Sequence, residues 1–184
     1  QKDLTLSKKS QHILLENSGS DDNLLVKFTS SDERNKKNKS FDKEFVIPLI
    51  DLESDLMQIP ETEYQADITM TSSNLAGIIT QLKQFGDTFH VFCNENELKF
   101  FSESDVFGKM IANVSVDDVE EFAIGENCSV STQFPLKQLH VVSLYQKVSK
   151  NVVVSLTENV PICVIYSLEG GGSIKFYIAP KIDD

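Results

Sequence analysis

Residues 66–116 read ADITMTSSNLAGIITQLKQFGDTFHVFCNENELKFFSESDVFGKMIANVSV. ADITM alternates apolar and polar, the pattern of a half-buried strand. Leu75, Ile78, Ile79 and Leu82 then fall at i, i+3, i+4 and i+7, one stripe of a helix, with Phe85 extending it. Ser72 or Ser73 is expected to cap its start and Gly86 to end it. TFHVFC, ELKFFS and GKMIANVSV follow as three strands, the first two joined by a turn at Asn94–Asn96. The order is strand, helix, strand, strand, strand.

The same order recurs downstream. CSVSTQF reads as a strand, PLKQLHVVSLYQKV as a helix with proline in its first turn, and NVVVSL, PICVIYSL and SIKFYIAP as three strands. Two successive units of about sixty residues with one element order indicate an internal duplication. Upstream, HILLE, NLLVKF and EFVIPL form a third set of strands whose leading strand and helix are absent or reduced to DLTLSKK. The chain thus divides into half of one domain over residues 1–49, a connector over 50–65, and a complete domain over 66–184.

The connecting segments differ in character. TSSDERNKKNKSFDKE is polar with clustered lysines and reads as a solvated loop between strands, with a nuclear-import or nucleic-acid patch as the alternative. IDLESDLMQIPETEY sets Leu52, Leu56, Met57, Ile59 and Tyr64 among carboxylates, more apolar residues than a plain spacer needs. It is expected to lie along the surface with side chains available to a partner.

Composition narrows the function. The 184 residues carry a formal charge of −11, so any polyanion-binding surface must be one patch. Cys93, Cys128 and Cys163 are scattered, with no paired spacing for zinc or for a disulfide framework. No stretch is long enough to span a bilayer and no secretory leader opens the chain. The start at QKDLTL, without methionine, reads as a fragment or a processed product. No cofactor is implied, and no nucleophile is paired with a base. His90 and Cys93 stand three apart on a strand, hence on opposite faces. Glu169–Ser173, EGGGS, joins two strands and reads as a hairpin turn, not a phosphate loop. The chain reads as a binding or scaffold protein, not an enzyme.

The last strand poses the sharpest question. Ile174, Phe176 and Ile178 face one way, into a core; Lys175, Tyr177 and Ala179 face the other, and the chain runs out through Pro180-Lys181-Ile182-Asp183-Asp184. That leaves an aromatic uncovered beside free backbone, a fraying end or a docking place.

SIKFYIAPKIDD, the proline opening PICVIYSL, and Met57-Gln58-Ile59-Pro60-Glu61-Thr62-Glu63-Tyr64 together resemble the proliferating cell nuclear antigen family of DNA sliding clamps. The resemblance covers essentially the whole chain and leaves the family's first quarter to third without a counterpart. It implies an α+β DNA-clamp fold of βαβββ repeats, with helices inside a ring and sheets outside. The implied activity is mechanical. A homotrimer encircles duplex DNA without sequence preference, raises polymerase processivity in the nucleus, and recruits polymerase, clamp loader, flap nuclease and ligase through motif peptides.

The resemblance assigns Met57, Ile59, Pro60, Pro161, Tyr177, Ala179, Pro180 and Lys181 to a peptide pocket, with backbone around Ala179–Ile182 free to pair with the incoming peptide. It assigns Lys83, Lys137, His140 and Lys147 to the DNA-facing side. Phe45, Val46 and Ile47 with Lys109, Met110 and Ile111 become the subunit-joining edges. Departures accompany it: Gly77, Thr80 and Leu144 stand where members often carry basic residues, and Glu95 replaces the usual ubiquitin- and SUMO-acceptor lysine. A second reading is a clamp-like adaptor, or a checkpoint-type relative, that binds partner peptides without closing a homotrimeric ring. Lacking the start of its first domain, the chain alone is expected not to form a stable closed trimer.

Overall fold

The computed structural model describes residues 11–17, 22–30, 42–51 and 62–182. DLTLSKK, the lysine-rich middle of the polar loop, and Met57, Ile59 and Pro60 of the connector lie outside the described residues. The chain forms two compact units, residues 1–59 and 60–184.

The first unit holds one antiparallel sheet of β1 (Gln11–Glu16), β2 (Asn23–Ser30) and β3 (Lys43–Pro48) in that order. The register pairs Ile13 with Phe28 and Leu15 with Val26, and Val26 with Phe45. One face therefore gathers Ile13, Leu15, Val26, Phe28, Phe45 and Ile47. Val26 and Phe28 are buried, and Phe28 meets Phe45 edge-on at 5.6 Å. On the other face Lys27 bridges Glu16 at 2.8 Å, an exposed pair of small energetic weight.

The second unit runs β4 (Ala66–Thr71), α1 (Ser72–Leu82), β5 (Thr88–Asn94), β6 (Leu98–Ser104), β7 (Gly108–Val114), β8 (Glu121–Ile124), β9 (Ser129–Pro135), α2 (Leu136–Ser143), β10 (Asn151–Leu156), β11 (Ile162–Ser167) and β12 (Ser173–Ile178). The duplication is present, and its halves interlock. The sheets are ordered β12-β11-β10-β4-β8 and β7-β6-β5-β9. The leading strand of each repeat thus pairs with the three-stranded set of the other, β4 with β10 and β9 with β5. The helix starts repeat the exchange: Ser72 donates its N–H to the Lys150 carbonyl at 2.8 Å, and Leu136 donates to Asp87 at 2.9 Å. Each bond satisfies an N–H that a helix start leaves without an internal partner.

Both sheets and both helices share one core, including Ile68, Leu82, Phe89, Phe100, Phe134, Leu136, Leu156 and Tyr166, each at most 1% exposed. The α1 stripe lands as its period demands: Leu75, Ile79 and Leu82 are buried and Ile78 packs against the same core.

Four details depart from expectation. No serine side chain caps α1; Thr71 occupies the cap position without a side-chain bond. Gly86 does not terminate the helix, which ends at Leu82 with Lys83 as its cap. A Cβ at Gly86 would stand 2.5 Å from the Glu103 carbonyl oxygen, so close approach to β6 is what demands glycine there. The second helix tightens into a 3-10 turn over Leu144–Lys147. Strand β8 comes from EFAI, too short and acidic to announce itself. The EGGGS segment is a hairpin turn, with left-handed φ of 90°, 101° and 91° at Gly170, Gly171 and Gly172.

Candidate functional site

The β12 face lies as its alternation predicts. Ile178 is buried and Ile174 and Phe176 are half-buried, while Tyr177 is 38% exposed. The β11–β12 register sets Tyr177 opposite Cys163. Tyr64, arriving from the connector, donates its hydroxyl to the Pro161 carbonyl at 3.3 Å. The buried Cys163 thiol lies within hydrogen-bonding reach of both tyrosine hydroxyls. Burial, then Cys163 and Tyr177, push the Tyr64 hydroxyl up to about 12. Burial likewise raises Cys163, whose tyrosine neighbours pull the other way. Tyr177 is raised by burial and by Cys163. The result is a neutral, partly apolar wall over residues 64, 161, 163 and 177, suited to an apolar or aromatic side chain.

Ala179 and Lys181 are exposed and Pro180 is half-buried. The tail backbone is not wholly free, as the sequence suggested. Lys181 donates its N–H to the Gln133 carbonyl at 2.9 Å, and its Nζ donates to Thr88 Oγ1 at 2.7 Å. The tail leaves β12 in one sheet and is tied to β9 and β5 in the other. Tyr64, Cys163, Thr88 and Gln133 were not singled out from sequence for these contacts. Only Tyr64 carried a local signal, as the aromatic closing an apolar connector.

A second surface is the outer side of the helix pair. Neither α1 nor α2, nor the 3-10 turn after α2, contains Asp or Glu, in a chain with 28 carboxylates. Lys83, Lys137 and Lys147 are exposed there, and His140 is half-buried with Nδ1 unpartnered. Gly77 and Thr80 leave the exposed side of α1 neutral. On α2 and its continuation Val141, Leu144 and Tyr145 are 55%, 62% and 43% exposed. Tyr145 also packs its ring against Phe176 at 5.1 Å.

The third feature is a pair of sheet edges. β3 and β7 each end the order of their sheet. Phe45 is half-buried while Val46 and Ile47 are exposed. Lys109 bridges Glu103 at 3.1 Å and lies 4.3 Å over the Phe101 ring; Met110 packs on the core and Ile111 is 49% exposed.

Among the described residues, reactive chemistry is not assembled. Cys93 is in the core, and burial pushes its thiol up to about 11, the reverse of an activated nucleophile. His90 stacks on Phe101 at 4.6 Å. Glu95, in the turn after β5, accepts the Asn127 N–H at 2.8 Å and ties that turn to the one before β9.

A family model described as "Proliferating cell nuclear antigen, C-terminal domain" matches residues 58–181. Over 147 residues the chain is 33% identical to the proliferating cell nuclear antigen of Chaetomium thermophilum, a match covering 77% of this chain and 56% of that relative. The chain thus spans just over half the length of the curated relative.

Proposed function

The chain belongs to the proliferating cell nuclear antigen family, a family of non-enzymatic sliding clamps, and from that premise we propose that it serves as a nuclear DNA polymerase processivity factor. In this reading it encircles duplex DNA within a homotrimer and recruits replication and repair proteins by their motif peptides. A closed ring holds DNA by topology, so its contacts with phosphate can stay weak and it can slide.

The observation that carries this is the carboxylate-free helix pair. On a chain of charge −11 it is a surface that phosphates can approach without repulsion. Lys83, Lys137, His140 and Lys147 face the duplex. Pro161 and Tyr177, backed by Tyr64, form the described wall of the peptide pocket; Met57, Ile59 and Pro60 supply its connector side, with Ala179, Pro180 and Lys181 beyond. Because the Lys181 N–H is already bonded, a peptide pairs with the β12 edge rather than with the whole tail. Residues 1–49, 50–65 and 66–184 act as first-domain half, connector and second domain.

Duplex binding measured across a salt series tests the helix assignment. Lys137→Ala and Lys147→Ala should each lower the slope of log K against log salt by about 1. Slopes unchanged in both variants would remove the helix pair from the DNA.

One observation favours a second reading. Val141, Leu144 and Tyr145 put apolar surface where a phosphate-facing helix needs cations. A clamp-like adaptor that binds partner peptides without closing a ring would bind motif peptide normally and show no salt-dependent duplex binding.

A further inference from the structure

We infer that Cys163 is a positioning residue of the proposed peptide pocket: its thiol links the tied-down Tyr64 to the exposed Tyr177 and holds the Tyr177 ring where an incoming aromatic side chain meets it. The inference rests on the pocket reading and adds a residue beneath its wall.

Cys163 is buried on the face where burial is not expected. On β11, Ile162, Val164 and Tyr166 point into the core that both helices cover. Alternation turns Cys163 to the opposite face of the sheet, and it is no member of that core, yet it is only 3% exposed. The register sets Tyr177, Cys163, Ser155 and Asp67 in one row across β12, β11, β10 and β4. The ends of the row are open, with Tyr177 at 38% and Asp67 exposed, while Ser155 beside Cys163 is 4% exposed.

The segment entering β4 covers the middle of this row. Gln65 donates its N–H to the Leu156 carbonyl at 3.0 Å and accepts the Gly125 N–H at 3.1 Å. Its side-chain oxygen accepts the Thr157 hydroxyl at 2.7 Å. From that anchored neighbour Tyr64 reaches the start of β11, where its hydroxyl donates to the Pro161 carbonyl at 3.3 Å. Tyr64 is therefore tied at the end of β10 and again at the start of β11. Tyr177 has no such frame. It stands on β12, the last strand in the order of its sheet. Among the described residues, the polar contact of its hydroxyl is the Cys163 thiol.

Donor counting gives this link a direction. A phenol and a thiol each carry one proton. Tyr64 gives its proton to Pro161, so its oxygen accepts the Cys163 S–H. The sulfur is left to accept the Tyr177 O–H. Without the thiol Tyr64 keeps Pro161, but Tyr177 loses its anchor. A ring that leaves its binding position lowers apparent affinity by the fraction of time it spends elsewhere.

A double-mutant cycle on the full chain tests this, read by fluorescence polarisation of a labelled motif peptide ending in two aromatic residues. Cys163→Val keeps the bulk and removes the hydrogen-bonding group. It should weaken binding about fivefold, the loss of one ordinary hydrogen bond. Tyr177→Phe should weaken binding by a similar factor, and the double variant should lose no more than either alone. Cys163→Ser should recover most of the affinity, which a residue that only fills space would not show. Thermal melts check that each variant is folded. Tyr177→Phe alters an exposed side chain, so it reads the link even where a Cys163 variant unfolds. Unchanged binding in Cys163→Val or in Tyr177→Phe would overturn the inference and leave the pocket standing. So would losses that multiply to about 25-fold in the double variant. A wild-type chain that does not bind the peptide would overturn the pocket reading itself, and the role of Cys163 with it.

Discussion

On β1, Ile13, Leu14 and Leu15 are 52%, 49% and 63% exposed; on β10, Val152, Val154 and Leu156 are at most 2% exposed. Both strands are short, apolar and antiparallel to their neighbours. The difference is what covers them. In the second unit each repeat lends its leading strand to the other and lays its helix on the shared core, so apolar faces are closed by parts of the same unit. In the described part of the first unit three strands stand as one sheet, and only Val26 and Phe28 are buried. A three-stranded sheet with an open apolar face is marginal in water. Among the described residues, strands of similar chemistry are closed over by their own unit in one place and keep an exposed apolar face in the other.

The sharpest way to break the comparison is by substitution in both units. Leu82→Ala, at a fully buried position, should cost about 2–5 kcal/mol and melt both sheets of the second unit together. Leu15→Ser, at 63% exposure, should leave that melt unchanged and reduce self-association. Paired thermal and chemical denaturation curves check both, and a large loss from Leu15→Ser would mean that its face is covered after all.

A smaller effect is expected at the proposed peptide pocket. Tyr177→Ala and Met57→Ala should each weaken a labelled motif peptide by about 1–3 kcal/mol. Fluorescence polarisation reads this, and unchanged binding in both variants would remove the pocket.

Alkaline titration separates the units by chemistry. Tyr166, fully buried and donating to the Val142 carbonyl at 3.2 Å, is pushed up to about 12 by burial. Its folded pKa lies above its unfolded value near 10, so folding favours the protonated form. Its contribution is intact below pH 10 and is lost as pH rises toward about 12. Urea midpoints should fall over that window, and less steeply in Tyr166→Phe. Tyr64, raised to about 12 by burial, adds to the same slope. The β1–β3 sheet has no tyrosine and should not respond through this route.

The second unit was largely legible because its signals are local. Period two in TFHVFC and period 3.6 from Leu75 to Leu82 specify a strand and a helix without reference to anything distant. The exchange of β4 and β9 between repeats was not legible, since both pairings are tertiary choices that leave each strand's own pattern unchanged. β8 escaped because four residues containing one glutamate show no clear alternation. At the candidate site, the exposed face of Tyr177 followed from alternation along β12. The anchoring of Lys181 did not, because a segment reading Ala-Pro-Lys-Ile looks like a loose end until its N–H finds Gln133 across the unit. The inward Ser72, expected as a helix cap, is buried with its hydroxyl unpartnered, and the structure offers no reason for it.

The central contrast is tested most directly by light scattering after size exclusion, comparing residues 60–184 with the full chain at matched concentrations. The account predicts a folded, monodisperse monomer for residues 60–184 and a mass that rises with concentration for the full chain, restored toward monomer by Leu15→Ser. A full chain that stays monomeric throughout, or an isolated second unit that aggregates, would contradict it.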